Sequence, residues 1–532
     1  MEPMLRILVL LTLSANLMAV AQQAPKVRVK VKADLGRRLE DGTTLHTVVK
    51  GDEGALIAMQ VPADAAVLGG RPQAGMAWNL VTYDRATLSP IKSAAPKMVY
   101  GETPVAVETI GRHQRKLWLF GSKVDLERSG IQVLRQEMNP RSLQGVKGTQ
   151  EHALLTFDRF GKDRSWFAQG SAVGLTFLPS VDTTRFMLTV DPRSTQRPGA
   201  PWFAAVFHKD LSLFWARAME VDPAVKEIVV AGTILDGDGV LWRLVKWVTD
   251  PAPKVKDQVG YSWAVVRMDS TGQQQVIVDL PGAPYAQDVR MALRKDGALM
   301  VAGTYGEPTL RRDQSKGLFI ATFDRKALAW GPFKLHTLQP AVVKEKKELQ
   351  VDVVAEDLQV FSDGGAVLLA NESALRTIQS KNFANQPVTR QSYVTRDLHV
   401  VRVDATGEQL WYTVLDREVN LEKPGRGAPV AFVQNDLLHV LMNDDMANEE
   451  IRKSGEPVPP LDGGGEALLL EFKADGTSKA RSVVNGGADV ATVLPERRWM
   501  VAPNETVMLA GFKLQGEKTF PLSVQFEQET KR

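Results

Sequence analysis

Short apolar segments separated by polar stretches dominate the pattern of this sequence. They lie at residues 54–59, 117–121, 228–233, 298–304, 366–371, 437–441 and 507–511, with a poorer copy at 185–190. Their average spacing is about 65 residues, a period typical of repeat architectures. Apolar runs of this length bounded by turn residues are typical of β-strands. The pattern therefore predicts a β-sheet unit that is repeated seven or eight times.

A second strand follows most copies and ends in a turn. The clearest examples, at 263–272, 399–407 and 468–476, end in an acidic residue and a glycine. These residue types allow the chain to reverse into a further antiparallel strand. That further strand carries a tryptophan in three copies, at Trp215, Trp330 and Trp411.

The length of the repeat predicts a β-propeller. A four-stranded blade needs about 40 to 50 residues, and polar insertions at 306–316, 373–397 and 443–465 account for the excess. Each insertion falls between two strands of one copy, so we expect all three on one side of the molecule. No segment has sustained helical periodicity. We predict an all-β propeller of seven to eight blades, in a range of six to eight; tandem β-sandwich domains are the alternative.

The predicted organisation is a signal peptide at 1–21 and one propeller domain at 22–532. Residues 27–32 alternate valine with basic residues and read as a strand that completes the last blade, which removes an open sheet edge. A basic tail that binds an acidic surface is the alternative for this segment. The predicted blades are 45–95, 105–147, 171–220, 225–280, 287–338, 352–418, 428–485 and 495–528.

Some of these strands resemble the blade repeats of bacterial exported long-period β-propeller proteins. The resemblance rests on the strands at 230–233 and 301–304, on the strand-and-turn units at 266–269 and 401–404, and on residues 407–411. It implies the fold and export from the cell. It carries over no catalytic residue, because one fold supports many functions.

The first 21 residues have the features of a secretory signal peptide. A short apolar run at 7–13 is followed by small residues that end in Ala19-Val20-Ala21, which predicts cleavage before Gln22. An uncleaved anchor is the alternative. The sequence has no cysteine, which excludes a lipoprotein and disulfide bonds and favours a bacterial periplasm or cell surface.

Composition and motifs indicate no particular chemistry. The chain of 532 residues has 65 Lys and Arg against 62 Asp and Glu, a net charge of +3 that argues against nucleic-acid binding. No G-x-S-x-G or glycine-rich nucleotide motif is present, and the seven histidines have no metal-ligand spacing. Residues 236–239 read as a hairpin turn rather than a calcium loop. We therefore predict no catalytic residue, cofactor or metal site, and no transmembrane span in the mature chain.

The leading functional hypothesis is a non-catalytic scaffold or accessory subunit of a cell-envelope complex that binds another envelope or outer-membrane protein. The alternative is a carbohydrate-binding protein, or a polysaccharide hydrolase or lyase, that uses the central funnel. Exposed tryptophans anchor many protein interfaces, and packing in the core is the competing interpretation of each one. The candidate partner-binding residues are Trp166, Trp202, Trp242 and Trp247.

Overall fold

The computed structural model describes residues 28–529, apart from residues 38, 41–42, 63–77, 161–172, 191–201, 252–258, 283, 308–314, 340–351, 382–385, 422–427, 463–464, 485–490, 503–504 and 513–517. These described residues form eight antiparallel sheets that follow one another along the chain. The predicted all-β propeller is confirmed, with eight blades. The tandem β-sandwich alternative is wrong, because successive segments of the chain form successive four-stranded or larger sheets, and neighbouring sheets contact one another through their first strands.

The first four blades each have four strands, and their strands occupy the following positions. Blade 1 contains β2 Thr43–Lys50, β3 Leu56–Pro62, β4 Asn79–Tyr83 and β5 Pro90–Ala94, followed by a small hairpin of β6 Met98–Tyr100 and β7 Thr103–Val105. Blade 2 contains β8 Val107–His113, β9 Lys116–Asp125, β10 Gly130–Met138 and β11 Gln150–Thr156, and a 3-10 turn at Phe157–Phe160 follows it. Blade 3 contains β12 Leu175–Pro179, β13 Phe186–Val190, β14 Phe203–Phe207 and β15 Leu213–Ala218. Blade 4 contains β16 Glu227–Leu235, β17 Leu241–Val248, β18 Tyr261–Met268 and β19 Gln273–Ile277.

Blades 5 and 6 have additional strands, and the helix lies in the insertion of blade 7. Blade 5 contains β20 Tyr285–Leu293, β21 Leu299–Gly306, β22 Gly317–Asp324, β23 Ala329–Trp330 and β24 Lys334–Thr337. Blade 6 contains β25 Asp352–Val360, β26 Ala366–Lys381, β27 Pro387–Val403, β28 Gln409–Leu415 and β29 Val419–Leu421. Blade 7 contains β30 Val430–Gln434, β31 Leu437–Asp444, β33 Glu466–Phe472 and β34 Ser478–Val484, with helix α1 Ala447–Ser454 and β32 Leu461–Asp462 between β31 and β33. Blade 8 contains β35 Ala491–Ala502, β36 Glu505–Phe512, β37 Lys518–Glu529 and, from the start of the chain, β1 Arg28–Leu35.

The first strand of a blade lies nearest the axis of the ring. First strands of neighbouring blades contact one another at β2 and β8, β8 and β12, β16 and β20, β20 and β25, β25 and β30, and β35 and β2. Further strands of each blade follow outward in sequence order. This order places the connections between second and third strands on one side of the ring, which we call the insertion face. Turns between first and second strands lie on the opposite side, which we call the turn face.

Neighbouring blades pack through apolar side chains from both faces of each sheet. All five residues of β14 are buried; alternate members contribute to the core with blade 2 and to the core with blade 4. Phe186 and Phe207 stack with ring centroids 5.1 Å apart in the first of these cores. A fully buried Phe or Leu stabilises the fold by about 1.5–3 kcal/mol, so the interfaces between blades hold the ring together.

The N-terminal strand closes the ring, as predicted. β1 pairs antiparallel with β37, from Arg28 opposite Glu529 to Leu35 opposite Leu522. Val31 packs with Phe526 in the core between blades 7 and 8, and its carbonyl oxygen accepts a hydrogen bond from Arg481 Nη2 at 2.7 Å. The strand extends to Leu35, three residues beyond the predicted end, because Ala33 to Leu35 continue the same ladder.

The one helix of the described residues, α1, lies in the insertion of blade 7 and not in a blade sheet. It ends where Gly455 adopts a φ of 78°, and the Gly455 N–H donates to Arg452 O at 3.2 Å. Within the described part of the chain, no helix is long and apolar enough to cross a membrane.

Candidate functional site

The described residues of the insertions of blades 5, 6 and 7 follow the second strand of each blade and lie on the insertion face, so they share one side of the molecule, as predicted. β29 pairs antiparallel with β27 of its own blade and parallel with β32 of the next insertion, with Val419 opposite Leu461. The Leu461 N–H also donates to Glu418 O at 2.8 Å. Backbone hydrogen bonds therefore join the insertions of blades 6 and 7 into one continuous surface. We call the described residues among 373–397, 416–421 and 443–465 the insertion platform.

A two-stranded arm projects from this platform. β26 and β27 continue to pair beyond β25, from Leu375 opposite Tyr393 to Lys381 opposite Pro387. β25 pairs with β26 only as far as Ser373, and β29 pairs with β27 only at 393–395. Both outer edges of the described arm, at 375–381 and 387–392, therefore carry no further strand. The half-exposed side chain of Leu375 lies on the arm.

Glu418 secures the base of the arm. Its side chain is 6% exposed and forms ion pairs with Arg376 at 3.5 Å and with Arg396 at 3.4 Å. Arg376 belongs to β26 and Arg396 to β27, so one buried carboxylate holds both strands. Removing one partner from such a buried group leaves an uncompensated charge, which is costly.

Arg452 fixes α1 to the blade beneath it. Its guanidinium forms ion pairs with the fully buried Asp444 and with Glu449, the latter at 2.7 Å, and Nε donates to Asp416 O at 2.8 Å. Asn448 Nδ2 donates to the same Asp444 at 2.5 Å. Burial lowers the pKa of Arg452 to about 10, which still leaves the group charged at neutral pH.

Arg417 continues this polar network toward the axis. It is fully buried, and Nη2 donates to Asn371 Oδ1 at 2.9 Å. Asn371 in turn donates from Nδ2 to Glu356 Oε1 at 3.1 Å. Burial lowers the pKa of Arg417 to about 10 and raises the pKa of Glu356. A line of polar groups thus joins the platform to β25, the innermost strand of blade 6.

The same network reaches blade 5 through Arg290. Nη1 of this residue forms an ion pair with Asp288 Oδ1 at 2.9 Å, and Nε donates to Glu356 O at 3.3 Å. Burial raises the pKa of the Asp288 carboxyl, and Arg290 opposes that shift. Carboxyl groups with raised pKa values at the centre of a fold are frequent at functional sites.

Bulges in the innermost strands place these acidic side chains. One or more extra residues shift the register of the first strand in six of the eight blade sheets formed by the described residues. A bulge changes the direction of the neighbouring side chains. The extra residues are His46, Glu108, Ala231, Gln287 and Glu356 in blades 1, 2, 4, 5 and 6, and residues 495–497 in blade 8.

Two carboxylates near the bulges join one blade to the next. The buried Glu108 of blade 2 accepts N–H groups of Gly174 and Leu175 at the start of β12, the latter at 2.7 Å. Asp357 of blade 6 accepts the N–H of Ala431 in β30 at 3.1 Å. These contacts satisfy backbone donors that would otherwise be buried without a partner. We interpret Glu108 and Asp357 as structural residues.

A cavity of about 260 Å³ opens beside Asp288, where blades 4, 5 and 6 meet. Lys246 lies in one wall of the cavity, with Nζ 3.7 Å from the ring centre of Tyr261. Burial lowers the pKa of this lysine. Ser315 lies in another wall of the cavity, and its hydroxyl donates a hydrogen bond to Gln287 Oε1 at 2.6 Å. The wall combines a cation, carboxylates, an amide and phenol rings, which suits a small polar ligand. Asp352 and Tyr285 also line the cavity.

Three of the four candidate partner-binding tryptophans are buried in the core. Trp202, Trp242 and Trp247 are 2%, 2% and 6% exposed, and Trp166 lies outside the described residues. Trp242 Nε1 donates to Asp236 Oδ2 at 3.1 Å. The rings of the three described tryptophans fill the spaces between blades, and partner binding by the four candidates stays a prediction. Their burial supports the packing interpretation.

Sequence reasoning missed the polar network, although a signal was present. Asp288, Glu356 and Asp357 lie within strands that also carry buried apolar residues. An acidic residue inside an apolar strand of a predicted propeller indicates a bulge or a buried ion pair. The links that join different strands connect distant residues, such as Arg417 and Asn371 or Arg290 and Glu356, so spacing alone does not identify them.

Comparisons with known proteins identify no family. No family model matches the sequence, and no curated protein matches it. Among solved structures, a protein of unknown function from Dyadobacter fermentans matches with a TM-score of 0.34 and 8% identity over 94% of this chain and 99% of that one. The quinohemoprotein alcohol dehydrogenase from Comamonas testosteroni matches with a TM-score of 0.39 and 11% identity, over 92% of this chain and 76% of that one. A polysaccharide lyase, an ulvan lyase, matches with a TM-score of 0.36 and 10% identity, over 81% of this chain and 94% of that one. At these identities the likeness concerns the fold alone.

Proposed function

We propose that this chain is an exported, non-catalytic scaffold that binds another protein through the insertion platform. The observation that carries the proposal is the arm, which projects from a base held by buried ion pairs. Glu418 ties its two strands together, and β29 and β32 join it to the neighbouring insertion. A surface of this kind is fixed by the blades before a partner arrives, so little conformational entropy is lost on binding.

The arm itself supports a role in binding. An isolated two-stranded ribbon is marginally stable in water, and the described arm has free backbone groups along both edges. Free edges accept a further strand from another chain. A partner that adds a strand to the arm would pair these groups and bury Leu375, which is 51% exposed.

The charge of the arm favours an acidic partner. Beyond Arg376, which pairs with Glu418, the sequence from 377 to 393 contains Lys381 and Arg390 and no acidic residue. Charge complementarity increases association rates and suppresses wrong partners. We therefore propose that the partner presents an acidic surface or an acidic extended segment.

The proposal includes export to a bacterial periplasm or cell surface, and a partner in the cell envelope. It is supported by the signal-peptide pattern at 1–21 and by the absence of cysteine. Intact-mass measurement of the chain from its native envelope tests this part. A chain that begins at Gln22 is expected, and an unprocessed chain would contradict it.

Shortening the arm tests the binding proposal. Thr377 lies opposite Gln391, so replacing residues 378–390 by Asn-Gly gives a two-residue hairpin turn at the same register and keeps Arg376. The matched control is Arg141→Glu, which changes an exposed charge on the turn face. In a quantitative pull-down from gently solubilised envelope, the shortened variant is expected to lose a stoichiometric partner that the control retains. Equal capture by both variants would overturn the proposal.

The cavity beside Asp288 supports a second candidate function, the binding or cleavage of a saccharide. Its wall brings Lys246 and the partly buried Asp288 carboxyl together with Tyr261. Asp288→Asn tests this candidate against a panel of oligosaccharides by calorimetry and product analysis. Binding or cleavage that the variant loses would favour it, and no interaction with the panel would remove it.

A further inference from the structure

A second cavity lies on the turn face, far along the ring from the insertion platform. It has a volume of about 240 Å³ and lies between blades 2 and 3. Strands β9 and β10 form its floor, and the turns around Gln114 and Asp210 form its rim. The remaining residues of its wall are Lys116, Trp118, Arg135, Glu137, Lys147, Gly148, Gln150 and Leu211.

Arg135 has no hydrogen-bond or ion-pair partner among the described residues. Its Nε and Nη1 are buried without an acceptor, and the guanidinium carbon lies 5.2 Å from the ring centre of Trp118. An arginine normally satisfies its donors with carboxylates, carbonyls or water. Burial lowers the pKa of Arg135, and the charge of Glu137 opposes that shift without forming an ion pair with it.

The two carboxylates in the cavity wall are already occupied. Glu137 forms an ion pair with Lys116 at 3.0 Å. Asp210 accepts the N–H and the hydroxyl of Ser212, at 3.0 and 2.6 Å. Three cations and two carboxylates line the cavity, so its net charge is +1, and Arg135 is the cation that neither carboxylate pairs.

The geometry points to a binding site for an oxyanion at Arg135. The fixed cation stacked on Trp118, with Lys147 in the same wall, suits a carboxylate, sulfate or phosphate group. The volume admits such a group together with part of the molecule that carries it. Gly148 leaves open space on its side of the cavity, where an added Cβ would meet no atom within 4 Å.

The rim is held in a fixed shape, which favours binding over collapse. His113 Nε2 lies 2.8 Å from Lys209 O, and the Gln114 amide donates to the same carbonyl. These contacts join the first turn of blade 2 to the last turn of blade 3. An anion that enters therefore meets a cation already in place and does not need to order a loop.

Calorimetric titration of the full mature chain tests the site. The titrants are sodium sulfate, sodium phosphate, sodium glucuronate and glucose 6-sulfate, each against sodium chloride at equal ionic strength. The variants are Arg135→Gln and Arg135→Lys, and the matched control is Arg141→Gln, because Arg141 is an exposed arginine on the same face that already pairs with Glu53. Circular dichroism checks that each variant is folded.

We expect the wild type and the control to bind the anion saturably. Arg135→Gln should weaken this binding at least tenfold, and Arg135→Lys should restore part of it. Preference for glucuronate or glucose 6-sulfate over the inorganic ions would assign the anion to an acidic saccharide, and equal binding would assign it to the free ion. The absence of saturable binding by the wild type, or equal binding by Arg135→Gln, would overturn the inference. If Arg135→Gln does not fold, loss of wild-type binding in Lys147→Gln serves as the second test.

Discussion

Arg85 and Glu505 join the first blade to the last, with Arg85 Nε donating to Glu505 Oε1 at 2.8 Å. Arg85 follows the third strand of blade 1, and Glu505 begins the second strand of blade 8. The Glu505 side chain is fully buried, whereas that of Arg85 is one-third exposed. The ring is thus closed both by strand pairing within blade 8 and by an ion pair across the neighbouring interface.

Arg85→Ala is expected to destabilise the fold. It removes the partner of a buried carboxylate whose second oxygen, Oε2, already has no partner among the described residues. We expect a loss of about 2 kcal/mol in the free energy of unfolding, measured by urea denaturation. Arg141→Ala, which breaks an exposed ion pair with Glu53, is the control and should change stability by less than about 0.5 kcal/mol. Equal effects of the two substitutions would show that the ion pair between Arg85 and Glu505 does not stabilise the contact between blades 1 and 8.

The buried His439 and the partly buried His152 predict a loss of stability in mild acid. Burial lowers the pKa of His152 to about 3 and that of His439 to about 4, from an ordinary value of 6.5. The unfolded chain therefore binds protons that the native chain does not, as pH falls from 6.5 toward these values. Each histidine should contribute a slope of about 1.4 kcal/mol per pH unit in that window.

His152→Phe isolates the contribution of one of these histidines. The ring of His152 lies 4.3 Å from that of Phe207, so phenylalanine fits the same aromatic cluster. Thermal unfolding from pH 7 to pH 4 should show a shallower loss of stability in the variant than in the wild type. His208→Phe, at a turn on the surface of blade 3, is the control. Parallel curves for wild type and His152→Phe would contradict the prediction.

Arg452→Ala is expected to release α1 from the platform. The buried Asp444 would lose its ion pair, and breaking a buried pair costs about 3–5 kcal/mol. This cost should appear locally, as faster hydrogen exchange in residues 447–454 and new protease cleavage between residues 445 and 460. Lys453→Ala is the matched control, since Lys453 forms only an exposed pair with Glu450. Unchanged exchange in Arg452→Ala would show that other contacts hold the helix.

Removing β1 should expose a sheet edge. A chain that begins at residue 36 lacks the strand that covers β37, and an uncovered edge favours aggregation. We expect this truncated chain to have a lower unfolding temperature and to form larger species in size-exclusion chromatography. A chain that begins at residue 27 keeps β1 and is the control. A monomeric, equally stable truncated chain would show that β1 is dispensable.

The sequence was informative where the fold depends on local pattern. Strands such as β14 and β21 are buried on both faces and consist of apolar runs, so their positions follow from composition. The alternating valines before residue 32 indicated β1. The turn predicted at 236–239 is also formed: Asp236 Oδ1 accepts the N–H groups of Asp238 and Val240 at 3.0 and 2.9 Å.

The polar network could not be predicted in the same way. Arg417 and Glu356 are 61 residues apart and become neighbours only through Asn371, a relationship that exists after the strands have paired. The exposure of Trp202 and Trp242 also depends on which blade covers them. A sequence gives the chemical type of such side chains, whereas the packing of neighbouring blades gives their environment.

The pairing of Arg28 with Glu529 sets the order of events in folding. A chain made or translocated from its N-terminus releases β1 first and its partner strand β37 last. β1 therefore stays unpaired with β37 until the strands of the other seven blades have been released. Long-range pairing of this kind is slow and leaves strand edges exposed to other chains. Closure of blade 8 is thus expected to be the last step of folding, and the step at which a chaperone that covers β-edges has the greatest effect.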